Sequence, residues 1–285
     1  MSGAVQTGSV SSTGPAAPAP ARRWRRWLLA ATVLWAVLLA ALTWTSVRDD
    51  PPTVREQRTL DQAGPVVDRA VGELARAVGA SALLELGPAR IAAGCRVTPF
   101  ADGARLRREV GVLAPDGTER SVLTGIAERL PASWRADVAS GPDGPELYAD
   151  AGEFVAVAGR PTGDDRVRLT VDTGCRPVGS GYTAPPATGD GGEVAALAAA
   201  LRALGQPAGA APEIVTAPCP GGATARTARS AAGPTTSAAA LAPLAGGAAL
   251  LDNQQVYAYR AGTVTVLADL TPDASRLSAT VGCPG

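Results

Sequence analysis

The stretch LYADAGEFVAVAGRPTGDDRVRLTVDTGC, residues 147–175, has a counterpart near the end of the chain. That counterpart is VYAYRAGTVTVLADLTPDASRLSATVGC, residues 256–283. In both, a Tyr-Ala pair is followed by Val-x-Val, then by Arg-Leu, and finally by Gly-Cys. The spacing from the tyrosine to the cysteine differs by one residue, which a hairpin turn can absorb. The two stretches predict an internal repeat in which each copy ends as a three-stranded meander.

The residues that precede these meanders also match. In the first half an apolar helical pattern leads into Ile91 and Cys95, and in the second half it leads into Ile214 and Cys219. The predicted helices are 65–78, 118–130, 193–204 and 237–244. The predicted strands are 89–97, 105–113, 134–138, 147–158, 167–173, 213–217, 223–231, 248–251, 255–267 and 276–281. This order predicts an α+β fold of two repeated small modules, each an antiparallel sheet with two helices and one disulfide.

Four cysteines are an even number, and they allow three pairings. The repeat selects Cys95 with Cys175 and Cys219 with Cys283, so that each bond joins the first strand of a module to its last. In the chain-entropy description each bond contributes roughly 4 kcal/mol of stability. A structural zinc site usually takes its cysteines as close pairs, C-x2–4-C, and these four are far apart. We therefore expect disulfides and no metal.

An apolar segment near the N-terminus predicts a membrane anchor. Residues 27–47 carry no charge, and at ~1.5 Å per residue one helix of this length spans a hydrocarbon core of ~30 Å. Trp24, Trp27 and Trp44 stand at its ends, where the headgroup region favours aromatic rings. Arginines precede the segment, so the positive-inside bias predicts a cytoplasmic N-terminus. A cleaved secretory signal is the alternative, but its apolar region is usually shorter and ends in a small-x-small site.

These patterns divide the chain into six predicted regions. They are a disordered cytoplasmic tail (1–26), a transmembrane helix (27–47), a stalk (48–64), extracytoplasmic module 1 (65–176), a linker (177–192) and extracytoplasmic module 2 (193–285). The predicted location is the cell membrane, with a single pass and the C-terminal region outside.

Composition excludes several kinds of chemistry. The chain has no histidine, and all 26 of its basic residues are arginine. Without histidine there is no Ser-His-Asp triad and no His-ligated zinc site, and without lysine there is no Ser-Lys dyad or P-loop. The 26 acidic residues balance the arginines, so nothing in the charge indicates a nucleic-acid partner.

A basic cluster and an acidic pair each have a functional and a structural interpretation. Arg96, Arg105, Arg107 and Arg108 could hold an anion, but alternating charge on a solvated strand face explains them better. Asp164 and Asp165 could bind a metal, but they follow a glycine in a hairpin turn, where aspartate is common.

Two further sets have the same ambiguity. Asp150 and Glu153 could act as a general acid and base, although surface carboxylates beside a turn are the simpler interpretation. Tyr148, Tyr257 and Tyr259 could stack on a ligand, although the repeat favours a shared role in the core or the sheet for Tyr148 and Tyr257.

From the sequence we expect a non-catalytic binding or assembly module of the cell envelope, with no cofactor and with ligand-binding residues still unspecified. The expected partners are the membrane and another envelope protein or polymer. The alternative is a carboxylate-dependent envelope hydrolase, which needs two acidic side chains about 5–10 Å apart across a cleft. A signalling accessory that acts through helix pairing is disfavoured, because the anchor lacks the small-residue motif G-x-x-x-G.

Overall fold

The structure is a computed structural model. It describes residues 22–49, 58–79, 83–114, 117–163, 165–187, 191–207, 211–234, 237–253, 255–270 and 274–284. The chain divides into two compact units, Met1–Pro52 and Thr53–Gly285, which are described separately below.

The first unit contains one long helix, α1 (Arg22–Asp49). Within it, Arg26–Trp44 has a mean hydropathy of 2.0 and is long and apolar enough to cross a membrane. A secretory signal sequence would meet the same criterion. The hydroxyls of Thr32 and Thr43 donate to the carbonyls of Leu28 and Leu39 one turn earlier, so these polar groups are satisfied within the helix. The helix begins five residues before the predicted span, and residues 1–21 of the predicted tail lie outside the described residues.

The second unit contains two antiparallel sheets. The first half of this unit holds α2 (Leu60–Val78), β1 (Leu84–Leu86), β2 (Arg90–Thr98), β3 (Ala101–Leu113), α3 (Glu119–Arg129), a short 3-10 helix (Ala132–Trp134), β4 (Asp137–Gly141), β5 (Gly144–Asp150), β6 (Ala156–Gly163) and β7 (Arg166–Arg176). The seven strands form one sheet in the order β1-β3-β7-β6-β5-β4, with β2 also paired to β3.

The second half is smaller. It holds α4 (Gly192–Ala203), β8 (Glu213–Pro218), β9 (Thr224–Arg229), a 3-10 helix (Ala238–Leu241), β10 (Ala249–Asp252), β11 (Val256–Ala261), β12 (Val264–Leu270) and β13 (Ser275–Val281). The six strands lie in the order β10-β11-β12-β13-β9-β8. If β1 is left aside, each half has six strands, and both sheets follow the same order. The strands lie first, second, sixth, fifth, fourth and third in chain order, as β2-β3-β7-β6-β5-β4 and as β8-β9-β13-β12-β11-β10.

Each sheet packs one face on helices because its apolar residues alternate along the strands. In β7, Val167, Leu169 and Val171 are fully buried in the core that includes α2 and α3. In β13, Leu277 and Ala279 are buried in the core that includes α4. The residues between them therefore point to the opposite face of each sheet.

The two sheets do not have separate cores. Val215, Ala217 and Ala225 of the second half belong to the same apolar cluster as α2 and β3. The helix and β8 approach so closely that a Cβ added at Gly72 would collide with the carbonyl of Pro218. The two halves therefore pack as one body within Thr53–Gly285.

Two disulfides close the sheets. Cys95 bonds Cys175 with an S–S distance of 2.11 Å, and Cys219 bonds Cys283 with an S–S distance of 2.04 Å. These are the pairs expected from the sequence: the first joins β2 to β7, and the second joins the residues that follow β8 and β13.

Several element predictions need correction. In its described residues the second half has a single α-helix. The expected helix at 237–244 is only a 3-10 turn, since Pro243 follows its end by two residues and only Leu241 is buried. Helix α2 begins at Leu60 in the predicted stalk, where the backbone N–H of Thr59 donates to Gln62 Oε1 at 3.2 Å and caps it. The expected strands at 147–158 and 255–267 are each divided by a turn into two strands.

Candidate functional site

A groove lies where the two sheets meet, between β1, β3 and β7 on one side and β9, β12 and β13 on the other. Its cavity is ≈ 260 Å³. It is lined by Glu85, Gly87, Pro88, Arg90, Glu109, Gly111, Thr162, Arg166, Val167, Arg168, Arg229, Ser230, Leu267, Asp269, Arg276, Leu277 and Ser278. We call this cavity the inter-sheet groove.

The alternation of side chains along the strands places the polar side chains in the groove. Because Val167 and Leu169 face the helices, Arg166 and Arg168 face the groove. Because Leu277 faces α4, its neighbour Arg276 projects on the groove side of β13. The groove is thus formed by the two sheet faces that carry no helix.

Strand β1 holds the two walls together. It pairs with β3, so that Glu85 lies opposite Gly111 in the first sheet. The backbone N–H of Leu86 donates to the hydroxyl of Thr227 in the second sheet at 3.0 Å. A three-residue strand therefore positions Glu85 at the floor of the groove.

Five arginines and three carboxylates line the groove. Three ion pairs connect them: Arg229 Nε to Glu85 Oε1 at 3.1 Å, Arg166 Nη2 to Asp269 Oδ2 at 3.1 Å, and Arg168 Nε to Glu109 Oε2 at 3.8 Å. Arg90 and Arg276 make no ion pair with any residue that the structure describes. The groove thus has an excess of two positive charges.

The electrostatics of Glu85 reflect its position at the floor. Burial raises the pKa of Glu85 above its ordinary value, while the positive charges of Arg229 and Arg166 oppose that rise. The nearby charge of Asp269 raises the pKa further. Glu85 therefore takes up a proton more readily than an exposed glutamate does.

Arg166 retains hydrogen-bonding capacity. Its Nε and Nη2 atoms are buried and have no hydrogen-bond partner among the described residues, although Nη2 lies near Asp269. A guanidinium presents five N–H donors in a rigid fork, and unpaired buried donors are costly. An acceptor that entered the groove would satisfy them.

A second cavity, of ≈ 440 Å³, lies beside α4. Its lining is mostly aliphatic and includes Leu197, Leu201, Pro212 and Pro234. It offers few hydrogen-bonding groups to fix the orientation of a ligand, unlike the inter-sheet groove.

The basic cluster predicted from the sequence is divided: Arg96 lies on β2, and the other three arginines lie on the two opposite faces of β3. Arg105 and Arg107 are partly exposed and pair with Asp172, as expected for a solvated strand face. Arg108 is instead buried, with Nη1 at 2.6 Å from Asp68 Oδ1 and Nη2 at 2.9 Å from the carbonyl oxygen of Thr216. The alternation of the strand separates neighbouring arginines that the sequence groups together.

Asp68 is the centre of this buried contact. Its Oδ1 also accepts a hydrogen bond from the Tyr182 hydroxyl at 2.8 Å. Burial raises the pKa of the Asp68 carboxyl, and the charge of Arg108 opposes that rise. Burial also raises the pKa of Tyr182, with Asp68 adding to the effect. These contacts join α2, β3, β8 and the segment that connects the halves.

Asp150, Glu153 and Asp165 do not line the groove: Asp150 ends β5, and the other two lie in turns. Asp150 Oδ1 accepts from the backbone N–H of Gly152 at 2.9 Å, and Glu153 pairs with Arg58 at 3.1 Å. Asp165 accepts from Asn253 Nδ2 at 3.0 Å, whereas Asp164 lies outside the described residues. In the described part of the chain, no group of three His, Cys, Asp or Glu side chains is placed to hold a metal.

The tyrosines do not share one role. Tyr257 and Tyr259 are buried in the core that includes α4, whereas Tyr148 is 45% exposed. Tyr148 lies opposite Ala158 in its ladder, on the face away from the helices. Tyr148 and Tyr257 both lie in strands, β5 and β11, but only Tyr257 is also part of the core.

The residues of the groove are not among the sites predicted from the sequence. Arg166, Arg168 and Arg276 each alternate with a buried aliphatic residue, which marks a polar strand face. Nothing local indicates that two such faces meet, because that depends on β1. Comparison with protein-family models, with curated proteins and with solved structures finds no match to this chain.

Proposed function

We propose that this protein is a membrane-anchored extracytoplasmic binding module of the cell envelope, and that its ligand occupies the inter-sheet groove. The observation that carries the proposal is the groove itself. It is a concave site at the junction of two packed sheets, with convergent polar groups and an excess of positive charge. Substrate turnover is not part of the proposed activity.

The location is proposed from α1 and the disulfides together. The helix is apolar enough to serve as a single-pass anchor, and the arginines at its start favour a cytoplasmic N-terminus. Two disulfides are compatible with an oxidising compartment. Non-reducing peptide mapping of the protein from membranes should recover both linked peptide pairs together with an intact N-terminus. Recovery of a chain cleaved after α1 would identify a secretory signal instead.

We also propose that the two halves are copies of one module. The shared strand order and the equivalent positions of the disulfides support this proposal. In a pair of related modules the junction is a natural place for a site, because each copy contributes one wall.

Photo-crosslinking tests the proposed site. A photoreactive amino acid at Thr162, which is exposed at the groove, should give a discrete adduct in cells that express the full chain. The same group at Arg202, on the exposed side of α4, is the matched control. The adduct from position 162 should disappear when Gly111→Val fills the groove. Identical adducts from both positions, or no adduct from 162, would reject the site.

A carboxylate-dependent hydrolase is the second candidate, and one observation favours it. Glu85 and Asp269 line the same groove, and the raised pKa of Glu85 is suited to a general acid. If the purified chain hydrolyses an envelope polymer and both Glu85→Gln and Asp269→Asn abolish turnover, this candidate replaces the binding module.

A further inference from the structure

The charge of the inter-sheet groove indicates the class of its ligand, an inference that rests on the proposed function. Three of the five arginines there have carboxylate partners. Asp269 pairs with Arg166 and lies directly opposite Arg276 in the β12–β13 ladder, but it forms no ion pair with Arg276. Two positive charges therefore remain without a matching carboxylate among the described lining residues. A ligand carrying two negative charges would neutralise them.

The arginines that could contact an anion lie on both walls. Arg166 and Arg168 come from the first sheet, and Arg276 comes from the second. The buried Nε and Nη2 of Arg166 lack hydrogen-bond partners among the described residues. Guanidinium groups form bidentate hydrogen bonds with the planar or tetrahedral oxygens of carboxylates and phosphates. The geometry favours an oxyanion held from two sides over a neutral ligand.

The floor of the groove has a gap at Gly111. Glu85, Gly111 and Arg168 are direct neighbours across β1, β3 and β7, so Glu85 and Arg168 are two strand spacings, or about 10 Å, apart. The missing side chain leaves space between a carboxylate and a guanidinium. A Cβ added there would meet only ordinary contacts, the nearest being Glu85 Cβ at 3.9 Å. A larger side chain would therefore enter the groove without disturbing the backbone.

The size of the cavity limits the ligand. At ≈ 260 Å³ it is slightly smaller than the roughly 300–1,000 Å³ of most small-molecule sites. It accommodates a small anion or the charged end of a longer molecule.

We infer that the inter-sheet groove binds a doubly charged oxyanion, either a phosphate monoester or a dicarboxylate, through Arg166, Arg168 and Arg276. The three carboxylates of the lining hold the arginines in position, and the two excess positive charges attract a dianion more strongly than a monoanion. The rest of the ligand extends outward past Thr162.

Calorimetric titration of the full chain in detergent tests this inference. Inorganic phosphate at pH 8 and succinate supply the two dianions, and acetate supplies the single charge. We expect binding of at least one dianion, weaker binding of acetate, and loss of affinity as salt rises. Phosphate alone would identify a phosphoryl ligand, and succinate alone a dicarboxylate.

Single substitutions test whether the dianion binds in the groove or elsewhere on the surface. Arg276→Gln should weaken dianion binding about tenfold, since it removes charge-assisted hydrogen bonds. Gly111→Val should abolish binding without changing the charge, and Arg202→Gln should leave it unchanged. Equal binding by wild type and Arg276→Gln, or no dianion binding at all, overturns the inference. If the crosslinked adduct at position 162 persists in that case, the binding module stands and only the ligand class is wrong.

Discussion

The backbone N–H of Leu86 donates to the Thr227 hydroxyl at 3.0 Å and so joins the first sheet to the second. Thr227 is fully buried, and its hydroxyl lies 2.9 Å from that of Thr280. Since Glu85 directly precedes Leu86, this contact also fixes the floor of the inter-sheet groove. The stability of the junction and the shape of the site are therefore coupled.

Replacing Thr227 with valine should destabilise the protein by about 1–3 kcal/mol, because the isosteric side chain leaves the Leu86 N–H buried without an acceptor. Pulse proteolysis of the full chain in urea measures the free energy of unfolding. Thr224→Val on the same strand is exposed and should change it by less than about 0.5 kcal/mol. Equal effects of the two substitutions would show that the contact does not hold the sheets together.

The packing of α2 on β8 depends on a glycine. A Cβ at Gly72 would collide with the backbone carbonyl of Pro218, and neither element can yield without moving the core between the halves. Gly72→Ala should therefore destabilise the protein by about 1–3 kcal/mol despite its better helix propensity. Gly125→Ala in α3 meets only the end of Arg129 at 3.5 Å and should be neutral or stabilising. A stable Gly72→Ala protein would contradict the close approach.

The secondary structure follows from local patterns and the disulfide pairs from the similarity of the two halves, whereas the site follows from neither. Alternating aliphatic residues and the spacing of the cysteines were enough to place most strands. Strand β1 was missed, since Leu84–Leu86 is too short to show a period and its partners lie in both sheets. Without β1, no argument from the sequence brings Glu85 close to Asp269.

The register of the strands is the second feature that the sequence did not predict. The sequence aligns Tyr148 with Tyr257. In the sheets, however, the residue oriented like Tyr257 is Leu147: Leu147 lies opposite Gly159, and Tyr257 lies opposite Ala268. Leu147 and Tyr257 are both buried on the helix side, and Tyr148 is on the other face. A shift of one residue moves a side chain to the opposite face, so an alignment based on a shared tyrosine gives the wrong face.

Arg107 and Arg108 are adjacent in sequence but should respond very differently to substitution. Arg108→Met leaves the Asp68 carboxylate buried without its charged partner and should cost about 3–5 kcal/mol of unfolding free energy. Arg107→Met removes a pair with Asp172 that is partly exposed, and should cost less than about 1 kcal/mol. The same urea proteolysis measures both. A smaller loss for Arg108→Met than for Arg107→Met would mean that the buried pair does not join the halves.

Glu85 should make stability depend on pH in a specific direction. Burial holds its pKa above the ordinary glutamate value in the folded state. The stability it contributes is therefore fully present below the unfolded pKa and is lost as pH rises through the folded pKa.

We compare the free energy of unfolding of wild type with that of Glu85→Gln between about pH 4 and pH 7. The difference isolates the contribution of Glu85 from that of the other carboxylates. The advantage of wild type over the variant should be greatest at the acidic end and should decline as pH rises. The same protonation removes one negative charge from the groove, so the ratio of the anion affinity of wild type to that of Glu85→Gln, measured at each pH, should rise as pH falls. A wild-type advantage that grows toward neutral pH would mean that the attraction of Arg229 outweighs the burial of Glu85.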